Sequence, residues 1–233
     1  LDWLQEDMAG SNLIAGVRAL GEIDGELYGV PYALNITHVV YRESVIDAPL
    51  LTFEDVLTTQ PEYVFPVDMG QNDILTQTAL LQYLAAGGTL LGDGDSAALD
   101  DEPLRTVLDY YAQGVKDGLF GPELVETHQI DSFWNSFLTG EASMIGVDSA
   151  VYLTRGDALQ NVGLAPVPTA DGSPVTALDG WMWVVTTRDP DRQEQSRAFL
   201  SWMMRVSPQS TFTEAFGLLP SQIRALQLWN NRD

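Results

Sequence analysis

GELYGVPYALNITHVVYRE, residues 25–43, is the stretch on which the fold turns. It carries Tyr28, Tyr32 and Tyr41, one proline and one asparagine within an apolar run. From Leu27 to Tyr41 the chain reads as a strand. Its first half alternates, with Tyr28, Val30, Tyr32, Leu34 and Ile36 sharing one face. The alternation breaks over residues 35–38, and Val39, Val40 and Tyr41 are apolar on both faces. A strand whose facing changes midway leaves one packing environment and enters another. Two readings stand at this point: a core strand that happens to be aromatic, or a strand that delivers aromatics to a ligand.

Outward from this stretch, helical and extended segments alternate. Thr52 stands three residues before Asp55, the spacing of a capping box. Residues 63–70 read as a short buried strand, and Asp73 opens a helix over 74–86 that Gly87 and Gly88 end. Pro103 and Gly118 bracket the next helix, and Asp131 and Gly140 another. Residues 142–147, 161–168 and 181–187 read as strands. Asp189 with Pro190 starts a strong helix, and Ser207 with Pro208 repeats that grammar up to Gly217. Strands separated by helices predict an α/β fold with a mainly parallel sheet, in which ligands bind beyond the carboxyl ends of strands.

Bulk properties narrow the function. The chain has 233 residues with 45% hydrophobic content, enough to bury a core. Its formal net charge is −22, a field that repels phosphate backbones and anionic lipid and so argues against nucleic-acid binding. The acids are interleaved with apolar residues, which fits a solvated acidic surface or weak steering of a ligand. There is no cysteine, which excludes a thiol nucleophile, a disulfide framework and a cysteine-ligated metal. No stretch approaches the roughly 20 apolar residues that span a bilayer. The opening LDWLQEDMAG lacks the basic head and apolar run of a signal peptide and reads as the middle of a protein.

Motifs for common chemistries are missing. There is no GxxxxGK[ST], GxGxxG, GxSxG or HExxH. The only histidines, His38 and His128, are far apart. Residues 91–102, with Asp93 and Asp95, resemble a loose calcium loop whose register fails. Of 33 acids, no pair is singled out for glycoside hydrolysis. Neither a metal nor a cofactor is expected. The distinctive feature is aromatic placement beside small and amide residues: Tyr32 before Asn35, Gly180 before Trp181, Trp134 before Gly140. A flat ring stacks on the apolar face of a sugar while amides and carboxylates bond its hydroxyls. Ordinary core packing is the alternative for each ring, Trp183 included.

Taken in order, four motifs resemble the family 1 extracellular solute-binding proteins, the maltose-binding-protein-like receptors of ABC importers. They are DGELYGVPYALNITHVVYRE, TFEDVL, FWNSFLTGEASMIGVDSAVY (with Gly140, Glu141, Ala142 and Met144 in register) and VGLAPVPTADGSPVTALDGWMWVVTTRDPDRQEQSRAFLSWMM. The resemblance implies a periplasmic-binding-protein-like type II fold, two α/β lobes joined by hinge segments, with the N-terminal lobe incomplete. Residues 1–36 and 162–206 would be what remains of that lobe, and residues 37–161 and 207–233 the C-terminal lobe. It implies a carbohydrate bound in an interlobe cleft and delivered to a membrane permease, without catalysis. The implied contacts are Tyr32 and Trp181 for stacking and Asn35, Asp68, Gln71, Asn72 and Asp148 for hydrogen bonds. The implied location is periplasmic or extracellular, anchored through an upstream segment. A carboxylate-dependent enzyme acting on glycosides, or an interaction module with no small ligand, are the other readings.

Overall fold

The computed structural model describes residues 12–65, 77–91, 98–122, 124 and 130–229. In chain order the elements are β1 (Glu22–Ile23), β2 (Glu26–Leu27), β3 (Val30–Arg42), α1 (Phe53–Thr59), β4 (Tyr63–Val64), α2 (Gln77–Ala85), α3 (Asp101–Lys116) and α4 (Ile130–Thr139). Then follow β5 (Met144–Asp148), α5 (Ser149–Arg155), β6 (Val162–Ala165), β7 (Leu178–Trp183), α6 (Pro190–Met203), α7 (Val206–Ala215), β8 (Leu219–Pro220) and α8 (Ile223–Gln227).

The chain divides into two compact units. The first holds Leu1–Ile36, Ser149–Arg155 and Leu178–Asp233; the second holds Thr37–Asp148 and Gly156–Ala177. Residues 207–229 therefore fold with residues 12–36 and not with 37–148, because β8 pairs with Ala33 and Leu34 of β3. Residues 162–177 belong to the second unit, because β6 pairs with Val39, Val40, Tyr41 and Arg42. Helix α5, expected with 37–161, joins the first unit through Asn35, described below.

In the second unit the sheet order is β4, β5, the later half of β3, then β6. Among the named strands of the described residues only β4 and β5 pair in parallel; β3 is antiparallel to both of its neighbours. In the first unit the earlier half of β3 lies between β7 and β8, again antiparallel to both. The mainly parallel sheet expected from element alternation is thus corrected among the described residues. Strand sense depends on which way the chain re-enters a sheet, and alternation of element types does not encode it. β3 is buried along nearly its whole length, as a central strand covered on both faces must be.

Local signals set the helix ends. Thr52 Oγ1 accepts from the Asp55 N–H at 3.0 Å while Asp55 Oδ2 accepts from the Thr52 N–H at 2.9 Å, a closed capping box at the start of α1. Asp189 Oδ1 accepts from the N–H groups of Asp191 and Arg192 and caps α6, with Pro190 in its first turn. Ser207 and Pro208 behave differently: α7 begins at Val206, with Arg205 at the cap position and no side-chain capping bond. The cap expected from Asp73 lies outside the described residues.

The second unit's core is aromatic. Phe53 stacks on Tyr110 at 4.1 Å between centroids, and Phe65, Tyr63, Tyr111 and Phe120 close around them. Burial pushes the Tyr63, Tyr110 and Tyr111 hydroxyls well above the ordinary tyrosine range. Trp134, weighed above as a sugar platform, is only 3% exposed and packs on Phe137. His38 is buried in β3. His128, Asp93 and Asp95 lie outside the described residues.

Candidate functional site

The sequence LDGWMW of β7 sets the site in the first unit. Antiparallel pairing runs Ile36 to Leu178, Asn35 to Asp179, Leu34 to Gly180 and Ala33 to Trp181, then resumes at Pro31 with Met182. Between Pro31 and Ala33 the register shifts, so Tyr32 is the extra residue of an irregularity in the ladder. Proline favours such a position because it has no donor to give the ladder. The displaced Tyr32 carbonyl oxygen accepts from Gln209 Nε2 at 3.0 Å and from the Ser221 N–H at 3.2 Å. Gln209 has no solvent exposure and also donates to Ser221 Oγ at 2.9 Å. A buried amide on α7 thereby secures the backbone at Tyr32.

The Tyr32 ring meets Trp183 edge-on at 5.8 Å and Phe212 edge-on at 5.4 Å, distances at which edge-to-face pairs attract. Phe212 lies three residues beyond Gln209 on α7 and four before Phe216, the helical spacing that puts both rings on one side. Their centroids are 4.6 Å apart. Together with Leu218, Ala33, Trp181 and Met182 these rings line an open concavity of about 290 Å³. Trp181 is 54% exposed, an unusual state for an indole in a strand, whereas Tyr32 is 2% exposed. Burial holds the Tyr32 hydroxyl up at about 12, so it stays protonated at any physiological pH. Gly180 lets β7 approach β3: a Cβ there would collide with the Ala33 carbonyl oxygen.

Of the residues expected at a site, Tyr32 and Trp181 are brought together, one as floor and one as wall of this concavity. Asn35 is nearby in sequence but occupied otherwise. Its Oδ1 accepts from Ser149 Oγ at 3.0 Å and from the Ala150 N–H at 3.1 Å, while Ser149 Oγ accepts from the Ile36 N–H at 3.1 Å. It is a tie between β3 and the first turn of α5. Asp148 belongs to the second unit, at the carboxyl end of β5, where its Oδ1 accepts from Thr37 Oγ1 at 3.1 Å. Asp68, Gln71 and Asn72 lie outside the described residues. Sequence reasoning missed Phe212, Phe216, Leu218 and Met182 as lining residues. The four-residue spacing of the two phenylalanines is the signal that was available. Among the described residues no group of three or more His, Cys, Asp or Glu side chains is placed to hold a metal ion. Nor, among them, is any helix long and apolar enough to cross a membrane.

A family model described as bacterial extracellular solute-binding protein matches residues 5–227. No curated protein matches the sequence significantly. Solved structures share the fold at low identity. The sugar-binding protein MalE of Xanthomonas citri superposes with a TM-score of 0.77 at 20% identity, over 97% of this chain and 62% of its own. Maltose-bound MalE3 of T. maritima gives 0.74 at 15% identity, over 95% and 61%. An ABC transporter solute-binding protein of Agrobacterium radiobacter in complex with ribitol gives 0.69 at 20% identity, over 99% and 62%. The fold is therefore mixed α/β of the periplasmic-binding-protein kind, and the chain spans about three fifths of the length of these structures.

Proposed function

Because this chain belongs to the bacterial extracellular solute-binding proteins, we propose that it is the solute receptor of an ABC importer, that its solute is a carbohydrate or related polyol, and that it hands this solute to a membrane permease. It works outside the cytoplasmic membrane and makes or breaks no bond in the solute. In this reading the two compact units are parts of the receptor's two lobes. Trp181 is the stacking platform of the first, with Tyr32 beneath it, and Asp148 is a polar contact of the second.

The observation that carries the reading is the half-exposed Trp181 over a buried ring cluster. An indole held in a strand with half its surface in water is poorly used as core and well placed to stack on a ring. The kinds of ligand named for the similar structures, maltose and ribitol, set the first panel. Tryptophan emission is followed while maltose, ribitol and other sugars are titrated. The expected result is a saturable change with at least one of them, absent in Trp181→Ala. A panel that leaves emission unchanged in the parent chain overturns the carbohydrate assignment.

A further inference from the structure

We infer that the second compact unit is built for surroundings of high ionic strength: dissolved salt, by screening its uncompensated carboxylates, is part of what keeps it folded, and the first unit has no such need. Among the described residues the second unit carries 15 Asp and Glu against 3 Lys and Arg, a net charge of −12 with histidine neutral. The first carries 8 against 7, a net −1. The acid excess of the described residues therefore belongs to one unit. All of its carboxylates are exposed except Asp55 and Asp148, which are half-buried. Of the three bases, Arg42 donates to the Phe137 and Leu138 carbonyl oxygens at the end of α4 and lies 4.8 Å from the Phe137 ring centroid. Arg105 and Lys116 both stand on α3, which itself holds Asp101, Glu102 and Asp109. Whatever the pairing, the bases cannot balance the acids.

Like charges on a compact body repel one another, and the energy grows with the square of the net charge. Unfolding spreads the charges and relieves that repulsion, so it works against the folded unit. Salt relieves it without unfolding. The Debye length falls from about 30 Å at about 0.01 M to about 3 Å at about 1 M. A folded body of this length has a radius of gyration of roughly 14 Å. Its charges therefore act on one another across the whole unit at the lower concentration and hardly at all at the higher. Attraction follows the opposite rule. In the first unit Arg18 pairs with Glu22, and screening weakens such a pair.

The test follows amide hydrogen exchange of the full chain by mass spectrometry at about 0.01 M and about 1 M NaCl. The expected result is that salt slows exchange in β5 and β6 by about tenfold or more, while β7 and α7 change by less than about threefold. Screening also lets hydroxide approach the acidic unit, which by itself quickens exchange, so slowing reports stability. Potassium chloride and tetramethylammonium chloride should match NaCl, because screening ignores which cation supplies it. A variant combining Glu43→Gln, Glu62→Gln, Asp109→Asn and Glu141→Gln, all exposed positions, takes the unit from −12 to −8. Since the energy follows the square of the charge, a tenfold gain from salt should fall to about threefold in this variant. Equal slowing in both units overturns the inference, and so does the absence of slowing in β5 and β6. Slowing by NaCl and KCl but not by tetramethylammonium chloride overturns it in favour of a coordinated cation. If the variant fails to fold, the salt and cation comparisons on the parent chain decide alone.

Discussion

Gly180 lies flat against the backbone of Ala33, opposite Leu34 in the ladder, with no room for a Cβ between it and the Ala33 carbonyl oxygen. Trp181, the next residue, inherits its position from that approach. Substitution Gly180→Ala forces β7 away from β3. The expected cost is about 1–3 kcal/mol of stability, read from urea unfolding. A blue or red shift of tryptophan emission in the native state should accompany it. Unchanged stability would mean that β7 is not held as closely as described.

Gln209 secures the irregular backbone at Tyr32. Replacing it by methionine keeps the side-chain length and removes the donor, leaving the Tyr32 carbonyl oxygen without its 3.0 Å partner. The expected loss is about 1–3 kcal/mol. Near-ultraviolet circular dichroism should change as well, because Tyr32 is wedged between Trp183 and Phe212. Gln209→Met with a native near-ultraviolet spectrum would remove Gln209 from this role.

Asn35→Ala leaves the Ser149 hydroxyl and the Ala150 N–H without their acceptor. A helix start that loses such a partner costs about 1 kcal/mol. Hydrogen exchange should quicken first in the opening turn of α5, ahead of the strands. This outcome would assign Asn35 to structure; weaker solute binding with unchanged exchange would assign it to the ligand.

Among the described residues three carboxylates are held below their ordinary range. The Thr89 N–H and hydroxyl hold Asp100 low, the Thr52 N–H and hydroxyl hold Asp55 low, and the Ser173 N–H and hydroxyl hold Asp171 low. A folded-state pKa below the unfolded one adds stability that is fully present above the unfolded value, 3.8, and fades as the pH falls through the folded value. Asp100→Asn should therefore be less stable than the parent at about pH 7, and the gap should narrow towards about pH 3. Urea midpoints at the two pH values check it. A gap that widens in acid contradicts the assignment.

What the sequence disclosed was what neighbours in the chain decide. The capping box at Thr52 and Asp55 and the cap at Asp189 are spacing rules satisfied within four residues, and both were legible. Gly180 and Trp181 were legible as a ring beside a small residue, whereas the close approach of β7 to β3 at Gly180 follows only from the pairing of the two strands. Ser207 looked like a cap and is not one: it lies inside α7, which begins at Val206. Phe212 and Phe216 were missed as site residues because their four-residue spacing marks one side of a helix without saying that this side meets Tyr32. Strand sense, and the return of residues 219–220 to β3, are decided by contacts between segments roughly 100 to 190 positions apart, which local periodicity does not carry.

β3 offers thirteen residues as one ruler with a single irregular division at Tyr32, read in its earlier part by β7 and β8 and in its later part by β5 and β6. A slip of one position on that ruler would invert inside and outside for every partner at once. Alignment errors are therefore not confined to either compact unit, and the chain has a single spine whose mispairing both would register.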